Sequence, residues 1–213
     1  MDEPADPVPP PGIPYDQGQA SDADPPRQDA KSSGRNVAEW VIVLVGAVLI
    51  AGLIRALLFQ AFYIPSPSMN PTLVQNDRVI VNKLSYRFHD VHRGDVIVFS
   101  RPPGVPKEDK DLIKRVVGLP GETVSLSGGR VYINGKALSE PYTAKGSTSD
   151  PLNYPTCTTD LSKPLVVPRN TVFVMGDNRN QSLDGRCFGP IPQSHIVGRA
   201  FVLIWPLNDL SWL

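Results

Sequence analysis

The sequence predicts an all-β domain held behind a single membrane-spanning helix. Trp40 to Ile54 carries no charge and is apolar almost throughout. From Asp77 onward, short β-branched runs alternate with Gly and Pro, the pattern of strands and turns. No stretch after residue 65 keeps a 3.6-residue apolar period, so no long helix is expected there. At 213 residues the chain holds one ordinary domain with tails, or two small ones. A formal net charge of zero gives no global attraction to nucleic acid.

Residues 1–36 read as a disordered cytoplasmic tail. Eight of the 23 prolines lie there among Asp, Gly and Ser, with Tyr15 the sole aromatic residue, too little apolar surface to offset chain entropy. Residues 37–62 read as the anchor. A helix from Trp40 to Ile64 would span roughly 37 Å at about 1.5 Å per residue, enough for a hydrocarbon core of about 30 Å. Arg55 lies near one end and can extend its guanidinium to the headgroups. A cleaved signal peptide needs a shorter apolar core closer to the N-terminus. Arg27, Lys31 and Arg35 precede the helix, against Arg55 alone on its far side. That bias places the N-terminus inside and residues 63–213 outside the membrane.

Next comes Ile64-Pro65-Ser66-Pro67-Ser68-Met69-Asn70-Pro71-Thr72-Leu73. Its prolines fix their own φ and push the residues before them toward extended geometry. A hydroxyl on so stiff a backbone suits a nucleophile; a proline-rich neck below a membrane helix is the plainer reading. Strands follow at Arg78–Lys83, Asp95–Phe99, Leu112–Val117, Val124–Leu126, Arg130–Ile133, Thr171–Met175 and Val197–Trp205. Ser127-Gly128-Gly129 and Asn134-Gly135 mark tight turns. Residues 121–170 hold an insertion, irregular above all between Pro141 and Pro168.

A nucleophilic Ser68 needs a base. His89, His92 and His195 sit in no motif that marks them, which leaves lysine as the other option. A lysine of ordinary pKa, about 10.4, is neutral only about once in 10³ at pH 7. Burial disfavours the ammonium, so the base should be a lysine in an otherwise apolar strand. Lys114, among Leu112, Ile113, Val116 and Val117, fits. Strand alternation equally allows Lys114 to point outward, opposite Ile113 and Arg115. A third polar cluster, Gly176 to Arg186, follows an apolar strand and reads as a solvated turn or as a hydrogen-bonded shell around a site. Asn180-Gln181-Ser182 matches a glycosylation sequon, a weak pattern. Two cysteines without close spacing and three scattered histidines predict no metal site, and no cofactor is expected.

Together, Ser66-x-Ser68-Met69-x-Pro71-Thr72-Leu73, Gly94-Asp95-Val96-Ile97-Val98-Phe99, Lys114 to Glu122 and Gly176-Asp177-Asn178-Arg179 through Ser182 resemble the boxes of bacterial type I signal peptidases, in order and behind an anchor. The resemblance covers the anchor and residues 62–206. It implies the antiparallel β-fold shared with Ser-Lys self-cleaving repressors, and a serine endopeptidase that removes signal peptides after Ala-x-Ala. On that resemblance Ser68 is the nucleophile and Lys114 the general base. Ser66 and the Ser68 N–H form the oxyanion hole, and Ser182 orients Lys114. Asp177 with Arg115, and Asp184 with Arg186, are supporting ion pairs. Ile64, Pro65, Met69, Leu73, Leu112 and Ile113 line shallow apolar pockets. The implied partners are signal peptides of exported preproteins and the lipid bilayer, with the enzyme acting as a monomer and binding no nucleic acid. Cys157 and Cys187 match no family cysteine pair, and an extracytoplasmic location favours a disulfide between them.

Other readings fit less well. A self-cleaving regulator needs a DNA-binding head where this chain has a tail and an anchor, and the eukaryotic-type peptidase has His where Lys114 stands. Arg93-Gly94-Asp95 is an adhesive tripeptide, but Asp95 opens an apolar strand rather than a loop tip. The apolar C-terminal end, with Trp212 and Leu213, is either a contact with the bilayer surface or a last core strand and its tail.

Overall fold

The computed structural model describes residues 32–103, 105, 110–150, 157, 159–161 and 163–213. The reading of residues 1–31 as a disordered tail lies outside these described residues. Helix α1 runs Ser32–Leu58, with Val37–Leu58 long and apolar enough to cross a membrane. Its apolar side chains, from Val37 through Leu57, are exposed. The boundary between two compact units falls within α1, after Ala47.

The helix ends four residues short of the expected anchor. Phe59–Tyr63 is instead strand β1, paired antiparallel with β2 (Arg78–Asn82) from Phe59↔Asn82 to Tyr63↔Arg78. Three aromatic residues in five favour a strand, and β2 supplies hydrogen bonds that a further helical turn would find within itself. The tail reading also overlaps the structure at residues 32–36, which open α1.

The main sheet further contains β3 (Val96–Ser100), β4 (Asp111–Gly118), β9 (Thr171–Met175), β10 (Ile191–Pro192), β11 (Ile196–Trp205) and β12 (Ser211–Trp212). Its order is β1-β2-β11-β3-β4-β9-β10, with β12 beside the later part of β11. All of its pairings are antiparallel. The insertion builds a second sheet, ordered β7-β6-β5-β8, from β5 (Thr123–Ser127), β6 (Arg130–Ile133), β7 (Lys136–Ala137) and β8 (Leu165–Val166). Asn134 and Gly135 both take positive φ (51° and 78°) in the two-residue link from β6 to β7, as a type I′ hairpin requires.

Strand β3 shows why the apolar runs look continuous. Val96 and Val98 join a core with Ile64, Met69, Leu73, Val79 and Val81, whereas Ile97 and Phe99 join another with Val116, Val172 and Val174. Both faces are covered, so neither carries the polar alternation of a half-solvated strand. A third core, including Val117, Val124, Val131, Val167 and Phe173, holds the second sheet against β4 and β9. Gly118 makes that close approach possible, because a Cβ there would run into the Val124 side chain.

At the C-terminal end the two residues expected at the bilayer surface separate. Trp212 is exposed, with its ring 6.0 Å from that of Phe201. Leu213 is partly buried against the first core, so the bilayer reading does not extend to it. Phe173 is fully buried. Phe173→Ala should therefore cost about 3–5 kcal/mol, measured as a lowered thermal midpoint of the detergent-solubilised full chain.

Candidate active site

Ser68 sits in a single 3₁₀ turn, Pro67–Met69, entered from extended Ser66 (φ −125°, ψ 156°). Met69 plugs the first core with no exposure and holds the turn down. Ser68 itself is only 5% exposed. Lys114 lies inside β4, whose neighbours β3 and β9 fix the backbone through Ile97↔Lys114 and Arg115↔Met175. The outward reading of Lys114 does not hold, since the residue is 3% exposed. Its Nζ lies 2.8 Å from Ser68 Oγ and also donates to the Ile113 carbonyl at 2.8 Å. Ser66 Oγ donates to Ser68 Oγ at 3.2 Å.

The loop after β9 closes over this pair. Asn178 donates through its backbone N–H to the Ser68 carbonyl and through its side chain to the Pro67 carbonyl, both at 3.1 Å. Gly176 is the point of closest approach: a Cβ there would collide with the Ser68 carbonyl and the Ser182 side chain. Ser182 is buried, and its Oγ has no hydrogen-bond partner among the described residues. The bond from Ser182 to Lys114 implied by resemblance is thus not made in this structure.

Four buried charges set the loop's shape. Asp177 receives Arg115 Nε at 2.9 Å and Nη2 at 2.6 Å, and Thr72 Oγ1 donates to the same carboxylate at 2.5 Å. Asp184 accepts from the Gly176 N–H at 3.0 Å and from Arg186 Nε and Nη2, each at 2.9 Å. Arg186 reaches back to the Arg179 carbonyl at 2.6 Å. Arg179, 1% exposed, donates to the Gly176 carbonyl at 2.9 Å and pairs bidentately with Glu140 at 2.5 and 2.9 Å. Burial alone would lower the Arg179 pKa. The hydrogen bonds and charge of Glu140, with Tyr142 and Asp184, outweigh it and hold the guanidinium above its ordinary value.

A small groove of about 40 Å³ opens beside the pair, lined by Phe62, Tyr63, Ile64, Pro65, Ser66, Val98, Asp111, Leu112, Ile113 and Lys114. Ile64, Pro65, Leu112 and Ile113 were among the expected pocket residues. Met69 and Leu73 were too, but both are fully buried in the core and do not line the groove. Phe62, Tyr63, Val98 and Asp111 had no local sign, because a groove wall is assembled by strand register. Thr72 stands in the first box without an assigned role, and Glu140 and Tyr142 carry no local sign in the sequence. Cys157 and Cys187 are disulfide-bonded, tying the insertion to the helical turn Gly185–Phe188 that holds Arg186. Among the described residues, Ser68 Oγ bonds with Lys114 and Ser66 and with no histidine.

A buried Ser–Lys contact on an antiparallel β-fold, beside a groove, defines a class of serine hydrolase. The family model described as "Signal peptidase, peptidase S26" matches residues 37–205. The chain is 42% identical to "Signal peptidase I" of Leptolyngbya laminosa, over 89% of this chain and 91% of that one. It is 36% identical to "Signal peptidase I S" of Bacillus subtilis (strain 168), over 84% of this chain and 95% of that one. Among solved structures, a signal peptidase I from Enterococcus faecalis V583 matches at 33% identity. It covers 52% of this chain and 97% of that chain, with a TM-score of 0.40. The chain belongs to the signal peptidase family S26, whose members are serine endopeptidases.

Asp184 is the most constrained of the loop charges, with no exposure and bonds to both Gly176 and Arg186. Asp184→Asn leaves a buried guanidinium without its counter-ion and should cost about 3–5 kcal/mol. A thermal melt of the variant beside wild type checks this.

Proposed function

We propose that this chain is a single-pass membrane endopeptidase that cuts signal peptides from exported preproteins after Ala-x-Ala, with Ser68 as nucleophile and Lys114 as general base. The observation carrying this reading is the 2.8 Å contact between Lys114 Nζ and Ser68 Oγ, made where both side chains are buried. Burial penalises an ammonium and favours the neutral amine. One N–H then stays on the Ile113 carbonyl and the lone pair faces the hydroxyl.

In the acylation step the Ser68 hydroxyl proton passes to Nζ as Oγ attacks the scissile carbonyl carbon. The developing oxyanion is stabilised by the Ser68 N–H and the Ser66 hydroxyl, a role in which removal of one donor costs about 10²–10³ in rate. The lysine ammonium protonates the departing amine, and the C–N bond breaks to leave an acyl-serine. Water then gives a proton to the regenerated amine and attacks the ester, and Ser68 regains its proton from Nζ. In this reading Ser182, whose buried Oγ is not otherwise engaged, turns to accept from the ammonium form when it appears.

The groove of about 40 Å³ has room for a few waters or one small side chain, which supports selection for Ala over larger residues. The substrate lies extended beside Ile64–Ser66 and the start of β4, adding main-chain hydrogen bonds as a further strand. Helix α1 anchors the chain with its N-terminus cytoplasmic and the β-domain extracytoplasmic, where the Cys157–Cys187 disulfide is stable. The exposed Trp212 meets the bilayer surface, and the enzyme works as a monomer.

Purified full-length protein in detergent, incubated with a signal-bearing preprotein, tests this reading. Ser68→Ala and Lys114→Ala should each abolish cleavage while melting like wild type, and cleavage by folded Lys114→Ala would remove that residue from the mechanism. Replacing the substrate's Ala at the cleavage site with Leu should cut kcat/KM by about 5- to 150-fold, since overfilling a packed pocket costs roughly 1–3 kcal/mol.

A further inference from the structure

Outside the boxes that carry the site, one tripeptide touches two of the three arginines that frame it. Glu140-Pro141-Tyr142 follows β7 at the edge of the second sheet. The Glu140 carboxylate grips Arg179 through both oxygens, and Ser149 Oγ accepts from the same guanidinium. The Tyr142 ring lies under Arg115, with the guanidinium carbon 4.3 Å from the ring centroid. Tyr142 Oη donates to Glu140 at 3.1 Å and closes the circuit.

Each grip leads one step further to the reacting pair. Arg179 holds the Gly176 carbonyl, and Gly176 abuts both Ser182 and the Ser68 carbonyl. Arg115 follows Lys114 on β4 and is locked to Asp177 on the loop. A buried ion pair is a poor device for stability alone, since apolar residues of similar volume often do as well or better. What a bidentate fork and a ring-stacked guanidinium supply is fixed orientation. We infer that Glu140 and Tyr142 are positioning residues of the peptidase reaction: together they set where Gly176 and Ser182 sit against the Ser68–Lys114 pair. This rests on the Ser-Lys reading above.

If the brace is released, the shell around Lys114 loosens and water reaches the amine, reversing part of the effect of burial. The test measures kcat, KM and the pH dependence of kcat for the full chain in detergent, on a peptide with an Ala-x-Ala site. Glu140→Gln should lower kcat by roughly 10- to 100-fold with KM changed by no more than about twofold. The acid limb of its kcat profile should move to higher pH, and Glu140→Asp should restore part of both. Tyr142→Leu should act in the same direction, with Tyr142→Phe closer to wild type because the ring remains.

A folded Glu140→Gln with wild-type kcat overturns the inference. So does a lower plateau with an unmoved acid limb, which is what a purely structural role gives. Where Glu140→Gln fails to fold, Tyr142→Leu decides by the same two readouts. Lys114→Ala is run alongside: if it still cleaves, the Ser-Lys reading fails. If it is inactive while the Glu140 and Tyr142 variants behave as wild type, the brace alone fails.

Discussion

Withdrawing the amine of Lys114 from water is unfavourable unless its hydrogen-bonding capacity is met inside the protein. The Ser68 hydroxyl and the Ile113 carbonyl are two of its partners, and both positions depend on elements that have little freedom to move. The lysine backbone belongs to a strand flanked on both sides. The serine belongs to a turn bounded by prolines and seated on Met69. A shift of an ångström in either would break the contact, so the sheet order, the proline neck and the packing of the first core all serve that one distance.

Around the contact the structure places charge in pairs rather than apolar bulk. Arg115 with Asp177, Arg179 with Glu140 and Arg186 with Asp184 are all largely removed from solvent. Their guanidiniums are planar and directional, so each pair fixes an angle as well as a distance. Gly176 shows why angles matter here. It lies where backbone, Ser182 and the Ser68 carbonyl come too close for any Cβ, and the guanidinium of Arg179 and the carboxylate of Asp184 bind its carbonyl and its N–H.

Most of the strands were legible because β-branched runs bounded by Gly and Pro have few other uses. The junction at Leu58 was not, since Phe59–Tyr63 is as apolar as the helix before it and differs only in partner. The position of Lys114 was ambiguous for a related reason. Alternation reports an inside and an outside, and β4 has cores on both faces, with Ile113, Val116 and Val117 each in a different one. Met69 and Leu73 look like pocket residues in the chain, yet only the fold decides whether an apolar side chain lines a groove or fills a core. Glu140 and Tyr142 left no trace at all, because their partners lie 39 and 27 residues away and no local pattern encodes such a pairing.

The contact between Lys114 and Ser68 joins residues 46 apart, and the loop that covers it comes from still later in the chain, after the second sheet. Neither side chain has any unusual character in an extended polypeptide: the hydroxyl is ordinary and the amine is solvated. The pairing of the two is therefore a property of the finished molecule alone. Until β3, β4 and the proline-bounded turn have come together, the chain holds two distant side chains and no joined pair, so an unfolded copy is blunt and only a completed one is sharp.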